Sequence, residues 1–165
     1  MIKSSKDMAI LLVADEAWIA TALLHREHPK RADFTVKEIV DRARAENITG
    51  SLRPGVGLHV SYHCVANKPP NPGRHRMLYE TSHGRRRLYR EGDPADPKRL
   101  GKVLPEAEAI PEQYRYLLDW YRNEYAPQRP ETWLQGLTEL VQEGREIFRG
   151  VDADEYVRQL REGWE

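Results

Sequence analysis

Residues 76–90 constrain the fold more than any other stretch: Arg76-Met-Leu-Tyr-Glu-Thr-Ser82, then His83-Gly84, then Arg85-Arg-Arg-Leu-Tyr-Arg90. Two β-prone runs carrying Tyr79 and Tyr89 flank a pair whose glycine takes the backbone angles of a tight turn. This predicts a β-hairpin with a basic second strand.

The segments before the hairpin have helical periodicity. Met8 to His28 is built of good helix formers and ends at Pro29, with Leu11, Ala14, Trp18 and Ala22 at helical spacing. Thr35 with Glu38 three residues on reads as a capping box, opening a helix to about Glu46 whose apolar face is Val36, Ile39, Val40 and Ala43. Thr49-Gly50 marks a turn. Pro54 suits a first helical position, and Val56, Val60 and Cys64 recur every four residues, so a third helix is expected over 54–66; Gly55 and Gly57 weaken it. Asn67 to Gly73 holds three prolines and reads as a connection.

After the hairpin, Gly92 to Pro111 is rich in Pro, Asp and Gly and reads as a linker or surface loop. Helices are expected again over 111–125, 131–148 and 152–164, each with apolar residues at helical spacing, and the short last one, bearing Tyr156, Val157, Leu160 and Trp164, needs something to pack on.

The 165 residues carry no formal net charge, yet charge is segregated along them. Residues 53–102 hold eleven Lys/Arg against four Asp/Glu, whereas 103–165 hold seven against fourteen. A basic segment favours a polyanion that an acidic one repels, which points to a binder with two surfaces rather than to an enzyme. Cys64 is the only cysteine, so no intrachain disulfide forms and a reducing, cytoplasmic setting is expected. Asp15 and Glu16 interrupt the apolar stretch 8–24, which argues against a signal or membrane segment.

Helix, helix, turn, helix and basic hairpin is the order of a winged helix-turn-helix. Residues 54–66 would be the recognition helix and 76–90 the wing. Projection turns Val56, Val60, His63 and Cys64 inward and Gly57, Ser61, Tyr62 and Val65 outward. The outward face lacks Arg, Asn and Gln, so double-stranded DNA would be met by Arg53, Ser61 and Tyr62 together with Arg85, Arg86, Arg87 and Arg90. Such a set positions the protein on phosphates more than it reads bases. The alternative is that the arginine run is a solvated strand face that discourages edge pairing. Winged helices also dock proteins, so the fold alone does not prove DNA binding.

His59 and His63 beside Cys64 lack a second ligand pair, as do His25 and His28, so no metal site is expected. No phosphate-binding glycine loop, dinucleotide fingerprint or paired-carboxylate signature is present, so neither a cofactor nor catalytic residues are expected.

The tail from Gly144 to Glu165, GREIFRGVDADEYVRQLREGWE, resembles the toxin-binding segment of VapB-type antitoxins, whose partners are PIN-domain ribonucleases. The resemblance covers about 22 residues of the chain. It implies that Ile147, Phe148, Tyr156, Val157, Leu160 and Trp164 fill a groove on the toxin and that Arg158 or Arg161 reaches its acidic pocket. The same helices would equally serve self-association. Residues 9–104 resemble a bacterial domain of unassigned function with the look of a winged helix, through Phe34-Thr-Val-Lys-Glu-Ile39, His63-Cys64-Val-Ala-Asn67 and Arg86-Arg-Arg-Leu-Tyr-Arg90. The DNA-binding head usual in VapB antitoxins, a swapped barrel or ribbon-helix-helix, is not the head read here.

The expected architecture is therefore α+β and mainly α: a winged helix-turn-helix with a hairpin wing over 1–104, then a helical extension over 105–165. The expected function is DNA binding coupled to protein association, as in an antitoxin-like transcriptional autoregulator. A non-enzymatic docking adaptor and an accessory DNA-binding module of a nuclease or restriction system are the alternatives.

Overall fold

Every residue from Ala14 to His25 is buried, including Asp15, Glu16 and Thr21. A helix covered all round sits at the centre of a fold, and the others pack about it. This is α1 (Val13–Glu27) in the computed structural model, which describes residues 10–127 and Arg158. The apolar stretch 8–24 thus largely forms a core helix, and among the described residues no helix is long and apolar enough to cross a membrane.

A short strand β1 (Phe34–Thr35) follows, then α2 (Val36–Glu46). The capping box is present: Thr35 Oγ1 accepts the Glu38 N–H at 3.1 Å, and Glu38 Oε2 accepts the Thr35 N–H at 2.7 Å. The Glu38 carboxyl is held down to about 2, first by Arg31 and then by that Thr35 amide. Asn47 ends α2 in the left-handed region with φ 53°, a conformation asparagine tolerates.

The third helix is shorter than its periodicity predicts. α3 (Gly55–Leu58) runs into a π-helical turn, His59–His63, where the Cys64 N–H donates to the His59 carbonyl at 3.0 Å. Val56, Val60 and Cys64 are fully buried, as their spacing requires. Val65, expected outward, is also fully buried, because past the π turn the helix has ended and Val65 bridges Leu78.

The hairpin consists of β2 (Leu78–Ser82) and β3 (Arg85–Leu88), joined through Gly84 at φ 74°. Its register pairs Leu78 with Leu88, Tyr79 with Arg87 and Glu80 with Arg86, with a bulge between Glu80 and Ser82. β1 pairs antiparallel with β3, Phe34 opposite Arg86, which gives a three-stranded sheet of order β1-β3-β2. The described fold is α+β and mainly helical.

The chain divides into two compact units, Met1–Ala126 and Pro127–Glu165. The boundary expected at 104 therefore lies inside the first unit. The cause is the apolar stripe of residues 110–125, which includes α4 (Tyr116–Trp120) and a π-helical turn Tyr121–Tyr125. Ile110, Tyr114, Leu117, Leu118, Tyr121 and Tyr125 belong to the same core as Trp18. The Tyr121 and Tyr125 hydroxyls donate to the carbonyls of Tyr89 and Leu88. The stretch 92–111 is not a plain linker either, since Arg99 and Ile110 within it are buried.

Candidate nucleic-acid interface

The seven residues expected to meet DNA have very different surroundings. Arg53, at the start of α3, donates from Nε to Glu16 Oε2 at 2.7 Å and from Nη1 to the Leu11 carbonyl at 2.8 Å. It fastens α3 to α1, and its partner carboxylate is 1% exposed.

Arg85 is more open than Arg86 or Arg87, and it pairs with Asp33 at 2.7 Å. Burial works against ionisation of Asp33, but hydrogen bonds from Arg85 and Thr81 outweigh it and hold the carboxyl below its usual range.

Arg86 is 2% exposed. Its guanidinium lies 2.7 Å from Glu80 Oε2 and donates from Nε to the Val60 carbonyl at 3.1 Å and from Nη2 to the Ser61 carbonyl at 3.2 Å. Strand β3 turns this side chain inward, under α3, where burial lowers its pKa. It joins the hairpin to the π turn and offers nothing to a ligand.

Arg87 forms a two-pronged pair with Asp93, 2.7 and 2.8 Å, and lies 4.4 Å over the Tyr79 ring. Arg90 stacks 3.9 Å over Tyr125 and donates to its carbonyl at 3.1 Å. A carboxylate or aromatic partner thus engages every arginine of the expected wing surface. Four positive charges in six residues of sequence do not make a basic surface. The exposed tip of the hairpin is Thr81, Ser82 and His83.

On α3 and the turn that continues it, Ser61 is half-buried with its carbonyl taken by Arg86, while Tyr62 and Leu58 are 53% and 54% exposed. Their spacing of four places both on one face, an apolar and aromatic ridge with Lys68 4.8 Å over the Tyr62 ring.

His59 Nδ1 lies 3.3 Å from Cys64 Sγ, and the His59 and His63 rings are 5.0 Å apart. Burial, then the neighbouring His63, His75 and Arg53, lowers His59 to about 4, and burial pushes the Cys64 thiol up to about 12. A thiol held protonated in this way is a poor nucleophile. Among the described residues no group of three His, Cys, Asp or Glu side chains is placed to hold a metal ion.

Sequence reasoning missed Arg99. It is 2% exposed, and its guanidinium donates to five carbonyls: Lys68, His63, His75, Tyr62 and Pro69. It gathers the loops behind the C-terminal end of α3. The signal in the sequence is a pair of glycines: a Cβ on Gly73 would meet His63 at 2.5 Å, and one on Gly101 would meet the Arg74 carbonyl at 2.4 Å.

Of the expected partner-binding residues, Ile147, Phe148, Tyr156, Val157, Leu160, Arg161 and Trp164 lie outside the described residues. Arg158 is helical and exposed, within the second unit. No family model, no curated protein and no solved structure matches this chain.

Proposed function

We propose that the first unit is a winged-helix domain that binds double-stranded DNA with little sequence preference, as a binding module rather than an enzyme. The observation that carries the reading is topological. Helix, strand, helix, helix and hairpin follow in the order of a winged helix, and β1 joins β3 so that the hairpin is fastened to the chain between α1 and α2. This leaves the Leu58–Tyr62 face of α3 open. The poverty of base-reading side chains on that face favours phosphate contacts over direct readout. The VapB-like tail extends the reading to an antitoxin-like regulator whose second unit engages a protein.

A salt-titrated binding assay of the full chain on random-sequence duplex DNA tests it. Steep loss of affinity with added salt is expected, as phosphate contacts release counterions. An absence of binding at low salt sinks the DNA reading. It would leave a second one, a winged helix that docks proteins, which the exposed Leu58 and Tyr62 already favour.

A further inference from the structure

Two chain segments lie side by side behind the C-terminal end of α3. The Gly101 N–H donates to the Arg74 carbonyl at 2.8 Å, and the Arg76 N–H donates to the Lys102 carbonyl at 2.9 Å. Gly101 permits the approach, since any side chain there would strike the backbone of Arg74 and His75. Arg74, Arg76, Lys98, Arg99 and Lys102 are thereby brought onto one ledge.

Their charges are scarcely compensated. Lys102 pairs with Asp15 at 2.7 Å. The other four have no ion-pair partner among the described residues. Arg76 donates to the Gly101 carbonyl at 3.1 Å, and Arg99 makes all its hydrogen bonds to neutral carbonyls, with the charge of Asp96 acting on it from a distance. Arg74 and Lys98 are exposed. Asp96, on the same loop, accepts the Lys98 N–H at 2.9 Å and forms no ion pair with Arg74 or Lys98 among the described residues. Tyr62 borders the ledge, because Arg99 bonds its carbonyl at 2.7 Å.

We propose that this ledge, with Arg74 and Lys98 as its outer cations, is the surface that grips the phosphate backbone of duplex DNA. The proposal rests on the winged-helix DNA reading and relocates its phosphate contacts from the hairpin to the loops behind α3. Charge complementarity selects the occupant: the exposed Arg74 and Lys98, without an ion pair among the described residues and backed by Arg76 and Arg99, match a repeating phosphate chain. A rigid backbone, tied by one buried guanidinium and two close-packed glycines, holds them in place before the partner arrives.

The experiment uses the full chain and short random-sequence duplex DNA, with polyglutamate as a second polyanion. Arg74→Gln with Lys98→Gln is expected to weaken DNA binding several-fold at low salt. It should flatten the slope of log affinity against log salt by about 1.8, about 0.9 for each phosphate that the variant no longer neutralises. Lys30→Gln with Lys37→Gln, exposed cations elsewhere, should change neither. Steep binding by the native protein with an unchanged slope in the ledge variant overturns the ledge and leaves the DNA reading standing. No binding to DNA by the native protein, or binding to polyglutamate in its place, overturns both.

Discussion

The hairpin and the ledge are both rich in arginine and lysine, and the fold treats them in opposite ways. On the hairpin, Arg85, Arg86 and Arg87 find Asp33, Glu80 and Asp93, and Arg90 finds the Tyr125 ring. On the ledge, Arg76 and Arg99 find carbonyls, and Arg74 and Lys98 stand exposed. A run of like charges in sequence is therefore a poor guide to surface potential. The strand pleat alternates its side chains, so the middle arginine of a triplet must face inward, where it persists only if paired.

The largest effect expected from this contrast belongs to Arg86. Arg86→Ala leaves Glu80 with Lys68 alone, 3.2 Å away, and leaves the Val60 and Ser61 carbonyls short of a donor, so it should cost about 2–3 kcal/mol of stability in urea unfolding. Arg86→Lys should not restore it, because one ammonium cannot span the three acceptors from that backbone position. A cost under about 1 kcal/mol would place Arg86 on the surface after all and revive the hairpin as a phosphate site.

His25 sharpens the same point from beneath. Its Nε2 accepts the Leu88 N–H at 3.3 Å, and its ring packs 5.0 Å from Phe34 and 4.7 Å from Tyr125. Burial, then the charges of Arg90 and Arg87, lowers its pKa from 6.5 to about 3. The folded state thus binds fewer protons than the unfolded one between those values, and stability is lost as pH falls through the window. At pH 5 the loss from His25 is about 2 kcal/mol, 1.5 units at 1.36 kcal/mol each. The carboxylates held low, such as Glu38 and Asp33, lose their contribution only below their ordinary pKa values of 4.5 and 3.8. Unfolding free energies at pH 7 and pH 5 should therefore differ by about 2 kcal/mol less in His25→Gln than in the native chain. Equal differences would mean that His25 is already charged in the fold, which the neighbouring arginines should forbid.

What could be read from sequence follows from how local each feature is. The Thr35–Glu38 box spans three residues, the hairpin turn two, and the Val56, Val60, Cys64 stripe repeats every four; all three are where their spacing puts them. What escaped depends on distant partners. β1 is two residues long and exists because β3 is beside it. Asp33 lies 52 residues from Arg85, and Arg99 reaches carbonyls 24 to 37 residues away. The stripe from Tyr114 to Tyr125 was legible as helical, but the surface it packs on is distant in sequence: α1, through Trp18 6.0 Å from Tyr121. Candidate site residues chosen by residue type alone thus fell on arginines that the fold itself uses.

The smallest effects discriminate most directly between the two regions. Arg85→Gln removes an ion pair that is 37% exposed on the arginine side and also loosens Asp33, which Thr81 still holds, so about 0.5–1 kcal/mol should be lost. Arg74→Gln with Lys98→Gln breaks no ion pair among the described residues, so stability should stay within about 0.5 kcal/mol of the native value. Thermal and urea unfolding of the two variants side by side measure the difference. A loss above about 1 kcal/mol in the ledge variant would mean that its cations, like those of the hairpin, hold the fold together. If stability is instead unchanged, no ion pair among the described residues accounts for the cations gathered there, and DNA binding by the same variant decides what they serve.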